Sequence, residues 1–88
     1  MMYEVKIKRK LERQLNHLPG HIQHTFFELV DDLRKSGPVQ PSWPNYGKLS
    51  DREYHCPLTY RYVACWRYDK GAVLIEVYYV GSREKAPY

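Results

Sequence analysis

At 88 residues the chain falls in the range of one small domain and is too short for a second folded core. Hydrophobic residues make up 43% and charged residues 27%, which excludes a disordered chain, and no apolar run approaches the roughly 18 residues of a membrane span. Fourteen Lys and Arg against ten Asp and Glu give a net charge of +4, a surface field that favours an anionic partner; nine tyrosines beside it suit base stacking as well as strand building.

Tyr3, Val5 and Ile7 alternate with Glu4, Lys6 and Lys8, the period-two pattern of a half-buried strand from about Met2 to Lys8. From Arg9 the period lengthens. Leu11, Leu15 and Leu18 predict a short helix with Lys10, Glu12, Arg13 and Gln14 on its other face, stopped by Pro19 and Gly20. Ile22, Phe26, Leu29, Val30 and Leu33 define the stripe of a longer helix closed by Ser36, Gly37 and Pro38, so the pair forms a helical hairpin. Pro38, Pro41 and Pro44 then predict a stiff loop to Gly47 that carries Trp43 and Tyr46. Lys48 to Cys56 reads as an edge strand ended by Pro57. Leu58 to Tyr68 reads as its neighbour, with Tyr60, Tyr62, Ala64 and Trp66 alternating against Arg61, Val63, Cys65 and Arg67. Asp69-Lys70-Gly71 supplies a hairpin turn, Ala72 to Val80 is a near-continuous apolar strand ended by Gly81, and Ser82 to Tyr88 is a short charged tail.

This order predicts an α+β domain over residues 1–88: an N-terminal strand, a two-helix hairpin, then a three- to four-stranded antiparallel meander with the helices on one sheet face. The first strand, separated from the meander by a helical crossover, can pair in parallel, and the apolar Ala72 to Val80 segment is the central strand available to it. The N-terminus, with Lys6, Lys8, Arg9 and Lys10 among apolar residues, does not resemble a signal peptide, so the expected location is the cytoplasm, with no membrane partner. Cys56 and Cys65 have no CxxC or Cys/His ligand spacing. No zinc site and no cofactor are expected, and both read as reduced, packed thiols.

With helices on one face, the other face is open, and its residues come from the basic and aromatic alternate positions. His55, Arg61, Arg83 and Tyr88 can converge there, with Lys48, Arg52, Arg67 and Lys85 in neighbouring segments as contacts to RNA. Two guanidinium groups offer bidentate contacts to a phosphate, an imidazole exchanges a proton near neutral pH, and a phenol stacks or donates. That set suits metal-free RNA cleavage: the 2′-hydroxyl attacks the adjacent phosphate, Arg stabilises the added charge, and an acid protonates the leaving 5′-oxygen. Plainer readings stand beside it. Arg61 and Arg67 also read as solvated strand positions, and His55 as a surface histidine next to a proline turn. His17, His21 and His24 flank the Pro19-Gly20 break and read as structural or surface residues, because a metal pair at spacing four needs an unbroken helix. Trp43 and Tyr46 read as loop anchors and Trp66 as core. The basic run from Lys6 to Arg13 reads as a solvated face, with an acidic partner as the other possibility.

The run Leu58-Thr59-Tyr60-Arg61-Tyr62-Val63-Ala64, the strand Val73 to Gly81 and the ending Ser82-Arg83-Glu84-Lys85-Ala86-Pro87-Tyr88 resemble the RelE/ParE superfamily of bacterial toxins. Its members commonly show a Tyr-Arg strand, an aliphatic strand ending in Gly, then Arg-Glu and a Tyr close to the C-terminus. The resemblance is specific in the C-terminal third and architectural before it. It implies a toxin of a type II toxin–antitoxin system that cuts mRNA on the ribosome without a metal and is held inactive by a cognate antitoxin. By position, Arg61 and Arg83 resemble the phosphate-binding and transition-state arginines, and Tyr88 the C-terminal tyrosine that stacks on or orients the substrate. His55 stands where the ribosome-dependent branch often carries a lysine proposed as general base, a role a histidine can fill. Pro57 stands near an expected second basic residue, for which Lys48 or Lys85 can compensate. The ParE branch shares the fold but is implied to poison DNA gyrase, and a catalytically degenerate member would act only as a protein-binding module. Retention of Arg61, Arg83 and a terminal Tyr favours the endoribonuclease branch.

Overall fold

The structure, a computed structural model, describes residues 2–88. Its elements are β1 (Glu4–Ile7), α1 (Arg9–His17), α2 (Gly20–Ser36), β2 (Gly47–Lys48), β3 (Glu53–Pro57), β4 (Tyr62–Tyr68) and β5 (Leu74–Ser82), followed by one 3-10 turn at Arg83–Lys85. The five strands form one sheet in the order β1-β5-β4-β3-β2. β2 to β5 are an antiparallel meander, and β1 returns through the helical crossover to pair in parallel with β5, Glu4 opposite Leu74 and Ile7 opposite Val77. The α+β arrangement expected from the pattern is the one observed. No helix among the described residues is long and apolar enough to cross a membrane.

The helical layer follows from its breakers. Pro19 restricts Leu18 to extended backbone, which ends α1, and its carbonyl accepts the first N–H groups of α2, from Ile22 at 3.0 Å and Gln23 at 3.1 Å. Ile22, Phe26, Leu29, Val30 and Leu33 of α2, with Leu11 and Leu15 of α1, pack on the sheet face formed by Tyr54, Cys56, Ala64, Trp66, Ile75, Val77 and Val80. Gly37 closes α2 at φ 92°, its N–H donating to Leu33 O, and a Cβ there would lie 2.8 Å from the Tyr3 ring. This position admits only glycine on both counts.

The proline-rich loop is pinned from below. Buried Gln40 donates through Nε2 to Asp32 O, Ser36 Oγ and Gly37 O at 2.8 to 3.0 Å. Trp43 Nε1 donates to Asp32 Oδ2 at 2.8 Å, and Trp66 Nε1 donates to Pro38 O at 3.0 Å. Tyr46, Trp66 and Tyr54 stack with centroids 6.0 to 6.3 Å apart, so Trp43 and Tyr46 anchor the loop and Trp66 lies in the core.

Several boundaries differ from the sequence reading. Lys48 to Cys56 is not one strand: a turn at Leu49–Arg52 divides it into β2 and β3, with Leu49 N–H donating to Glu53 O at 2.7 Å. Leu58–Arg61 is not strand but the tight β3–β4 connection, closed by Leu58 N–H on Tyr62 O at 2.7 Å. β5 begins and ends two residues later than Ala72 to Val80 and continues through Gly81 to Ser82. Gly81 serves packing: the Tyr79 hydroxyl would lie 3.0 Å from a Cβ there, and it donates to Ser82 O at 2.6 Å.

Candidate active site

β4 and β5 end together, Tyr62 opposite Ser82, and one further backbone bond extends the ladder past both: Arg83 N–H donates to Arg61 O at 2.8 Å. That bond fixes the Cα positions of two arginines twenty-two residues apart in sequence. Both line a cavity of about 540 Å³ with Tyr60, Tyr62, Ser82 and Glu84. Neither guanidinium forms an ion pair among the described residues, so both keep their full bidentate capacity for an anion. The Arg83 guanidinium lies over the Tyr60 ring, 5.5 Å from its centroid.

His55 sits two residues before the end of β3, about 7 Å along the strand from where the Arg61 turn begins. Its neighbours across the sheet are Gly47 and Cys65, and the glycine matters: a Cβ at position 47 would lie 3.2 Å from the His55 Nε2. Chain past the 3-10 turn folds back so that the Tyr88 ring stands 4.9 Å from the imidazole, tilted by 41°. The Nδ1 atom of His55 is buried without a hydrogen-bond partner. Burial, then the Arg83 charge, holds this imidazole below the ordinary histidine range. Burial moves the Tyr88 phenol the other way, above its ordinary range, with the nearby Arg83 charge opposing the shift. At neutral pH the imidazole is therefore an unprotonated acceptor and the phenol a protonated donor, the phenol made a weaker acid and the imidazole a weaker base by these shifts.

The four remaining basic residues are dispersed. Lys48 lies opposite Tyr54, on the helix-covered face, with its Nζ 5.7 Å from the Tyr54 ring centroid. Arg52 lies at the far end of β3, paired with Asp69 at 3.4 Å. Arg67 is on the open face but held by two carboxylates, Glu76 at 3.2 Å and Glu53 at 3.5 Å, and stacks on Tyr78 at 4.5 Å. Lys85 lines a separate cavity of about 510 Å³ with Arg13, His17 and Tyr79. The sequence puts Lys48, Arg52 and Lys85 in segments next to the site and Arg67 on an alternating strand, but neither signal gives height along the sheet or an ion-pair partner.

Cys56 and Cys65 occupy adjacent strands but opposite faces, Cys56 in the helix-side core and Cys65 beneath the open face. Both are free and buried, and burial pushes both thiols up to about 12. They are inert packing groups at neutral pH.

No protein-family model matches the chain, and no curated protein matches it by sequence. Solved structures do. The archaeal RelE of a RelE–RelB complex from Pyrococcus horikoshii OT3 superposes with a TM-score of 0.76 at 20% identity, covering 98% of this chain and 100% of that one. The chain has the RelE fold. A double arginine-to-alanine mutant of the E. coli toxin RelE, in the free state, gives a TM-score of 0.75 at 14% identity over 98% of this chain and 88% of its own. The toxin–antitoxin complex RelBE2 from Mycobacterium tuberculosis gives 0.68 at 18% identity over 94% and 100%. Within the RelE fold, this chain's His55–Tyr88 contact and the Arg61–Arg83 pair share one end of the open sheet face.

Proposed function

We propose that this chain is a RelE-like toxin of a type II toxin–antitoxin system, a ribosome-dependent endoribonuclease that cuts mRNA without a metal ion and thereby stops translation in the cytoplasm. The observation that carries the reading is the pair of arginines free of ion pairs, their backbones tied by one hydrogen bond and their side chains lining one cavity, with Arg83 close enough for its charge to act on the His55 imidazole. In the mechanism, His55 removes the proton from a ribose 2′-hydroxyl as its oxygen attacks the adjacent phosphorus. Arg61 and Arg83 hold the non-bridging oxygens and the charge that develops on them. Tyr88 gives its phenolic proton to the departing 5′-oxygen, leaving a 2′,3′-cyclic phosphate and a 5′-hydroxyl.

An acidic, amphipathic antitoxin segment is the expected protein partner, matched to the net charge of +4 and to the cations at the site. Inhibition would follow from covering the arginine pair or displacing the Tyr88 tail. The test is inducible expression of the wild type and of Arg83→Ala with growth, translation and transcript integrity followed together. Growth arrest with transcript breaks for the wild type alone supports the reading. Gyrase-linked DNA damage with intact mRNA would replace it with a ParE-like activity, and no effect from either protein would leave a binding module.

A further inference from the structure

Tyr60 stands at the tip of the β3–β4 connection and is 84% exposed. A large ring left in water is an unusual use of an aromatic residue, and the backbone that carries it is well fixed. Leu58 and Thr59 both donate N–H to Tyr62 O, at 2.7 and 3.3 Å, and Arg61 N–H donates to Thr59 Oγ1 at 3.4 Å. Beside the ring lies a second cleft of about 400 Å³, between Trp43–Asn45 on one wall and Pro57–Thr59 on the other, which shares Tyr60 and Arg83 with the arginine cavity. Its volume is in the range of sites that hold small organic groups. The Trp43 wall is held by the indole bond to Asp32 at 2.8 Å, and Asn45 takes the left-handed backbone at φ 59°. No carboxylate lines the cleft, so nothing there repels a nucleic-acid strand.

Cleft and cavity meet at Tyr60 and Arg83, so a strand with a phosphate in the cavity can place a neighbouring base in the cleft. We propose that the cleft is a nucleobase subsite, in which the base next to the scissile phosphate stacks on Tyr60 while the Asn45 carboxamide bonds to its edge and sets which nucleotide flanks the cut. The inference rests on the endoribonuclease reading above. Aromatic stacking accepts any base, whereas a side-chain amide offers both donors and an acceptor and so distinguishes base edges. Tyr60 therefore supplies affinity and Asn45 preference.

The test uses the purified full chain with ribosomes programmed by messages randomised around the cut, comparing wild type, Tyr60→Ala, Tyr60→Phe and Asn45→Gly. Glycine at position 45 tolerates the left-handed backbone, so that variant removes the amide without strain. Tyr60→Ala is expected to lose about 10- to 100-fold in kcat/KM and Tyr60→Phe to stay near wild type. Asn45→Gly is expected to flatten base preference at one position beside the cut, a change that a purely structural role would not produce. If the wild type cleaves while Tyr60→Ala and Asn45→Gly keep its rate and its preference, the subsite is refuted and the nuclease reading stands. If Tyr60→Ala melts early, the Asn45→Gly arm decides. If the wild type leaves every message intact, the nuclease reading fails and takes the subsite with it.

Discussion

Replacing Arg83 separates its electrostatic role from its structural one. Its contribution to the fold is a main-chain bond, Arg83 N–H to Arg61 O at 2.8 Å, which any non-proline residue retains. The side chain is exposed and makes no ion pair, so Arg83→Ala and Arg83→Lys should change stability by no more than about 0.5 kcal/mol. Activity should respond differently. Loss of a group that stabilises transition-state charge costs about 10²- to 10³-fold in kcat, and a lysine, lacking the planar fork, recovers only part of it. The two variants also part in their pH dependence. Arg83 is the second cause, after burial, of the lowered His55 pKa, so removing its charge lets the imidazole move part of the way back up. The acid limb of kcat/KM should then shift to higher pH in Arg83→Ala and stay in place in Arg83→Lys. Cleavage of a defined message on programmed ribosomes, followed across pH, measures both effects. An Arg83→Ala protein that cleaves within about threefold of wild type, on an unshifted profile, would refute the assignment.

Three further outcomes follow from the same contacts. The folded chain resists protonation of His55 whereas the unfolded chain takes up that proton near pH 6.5, so stability present above this value is lost as pH falls through it; urea midpoints at about pH 7.5 and about pH 5.5 should differ by more in wild type than in His55→Gln. Tyr88→Phe keeps the ring beside His55 but removes the proton donor, so kcat should drop about 10²-fold with the melting temperature unchanged; equal activity would remove the phenol from the proton path. Gly37→Ala meets both the positive φ of 92° and the Tyr3 ring 2.8 Å away, and should cost about 1–3 kcal/mol, read as a fall of at least about 4 °C in Tm; an unchanged Tm would contradict the packing described.

The parts of the fold legible in the sequence are those set by local periodicity and breakers. The stripe from Ile22 to Leu33, the stop at Pro19-Gly20 and the turn at Asp69-Lys70-Gly71, with Gly71 at φ 89°, are encoded within a few residues of themselves. The turn that divides Lys48 to Cys56 is signalled only by Ser50 and Asp51, with neither Gly nor Pro to break the strand reading. The bulge in β5 was not legible. Trp66 pairs with Val77 and Cys65 with Tyr79, leaving Tyr78 unpaired; this lets both Val77 and Val80 face the core and ends the strict alternation. In the candidate site, residue type and position point to His55, Arg61, Arg83 and Tyr88 together, and the motif resemblance gives each a role by position. Alternation groups Tyr60 with Tyr62, Ala64 and Trp66, a grouping that fails because the strand begins only at Tyr62.

On the endoribonuclease reading, the charge pattern of the open face also directs where the RNA strand would run. Glu53, Arg67 and Glu76 lie side by side across β3, β4 and β5, two carboxylates against one guanidinium, so this stretch of the face is net negative despite the overall +4. A polyanion leaving the arginine cavity is repelled in that direction. Away from the cleft at Tyr60, a basic exit remains: the 540 Å³ cavity shares Tyr62 and Ser82 with the 510 Å³ cavity that Arg13 and Lys85 line beside α1. RNA contacts should therefore continue toward Lys85 and Arg13, not along the sheet toward Arg67 and Arg52. Lys85→Ala should weaken RNA binding for all sequences alike and lower the salt slope by about one, while Arg67→Ala leaves that slope unchanged. Equal losses from the two variants would mean that the strand crosses the sheet after all, and that the Glu53–Arg67–Glu76 row opens to admit it.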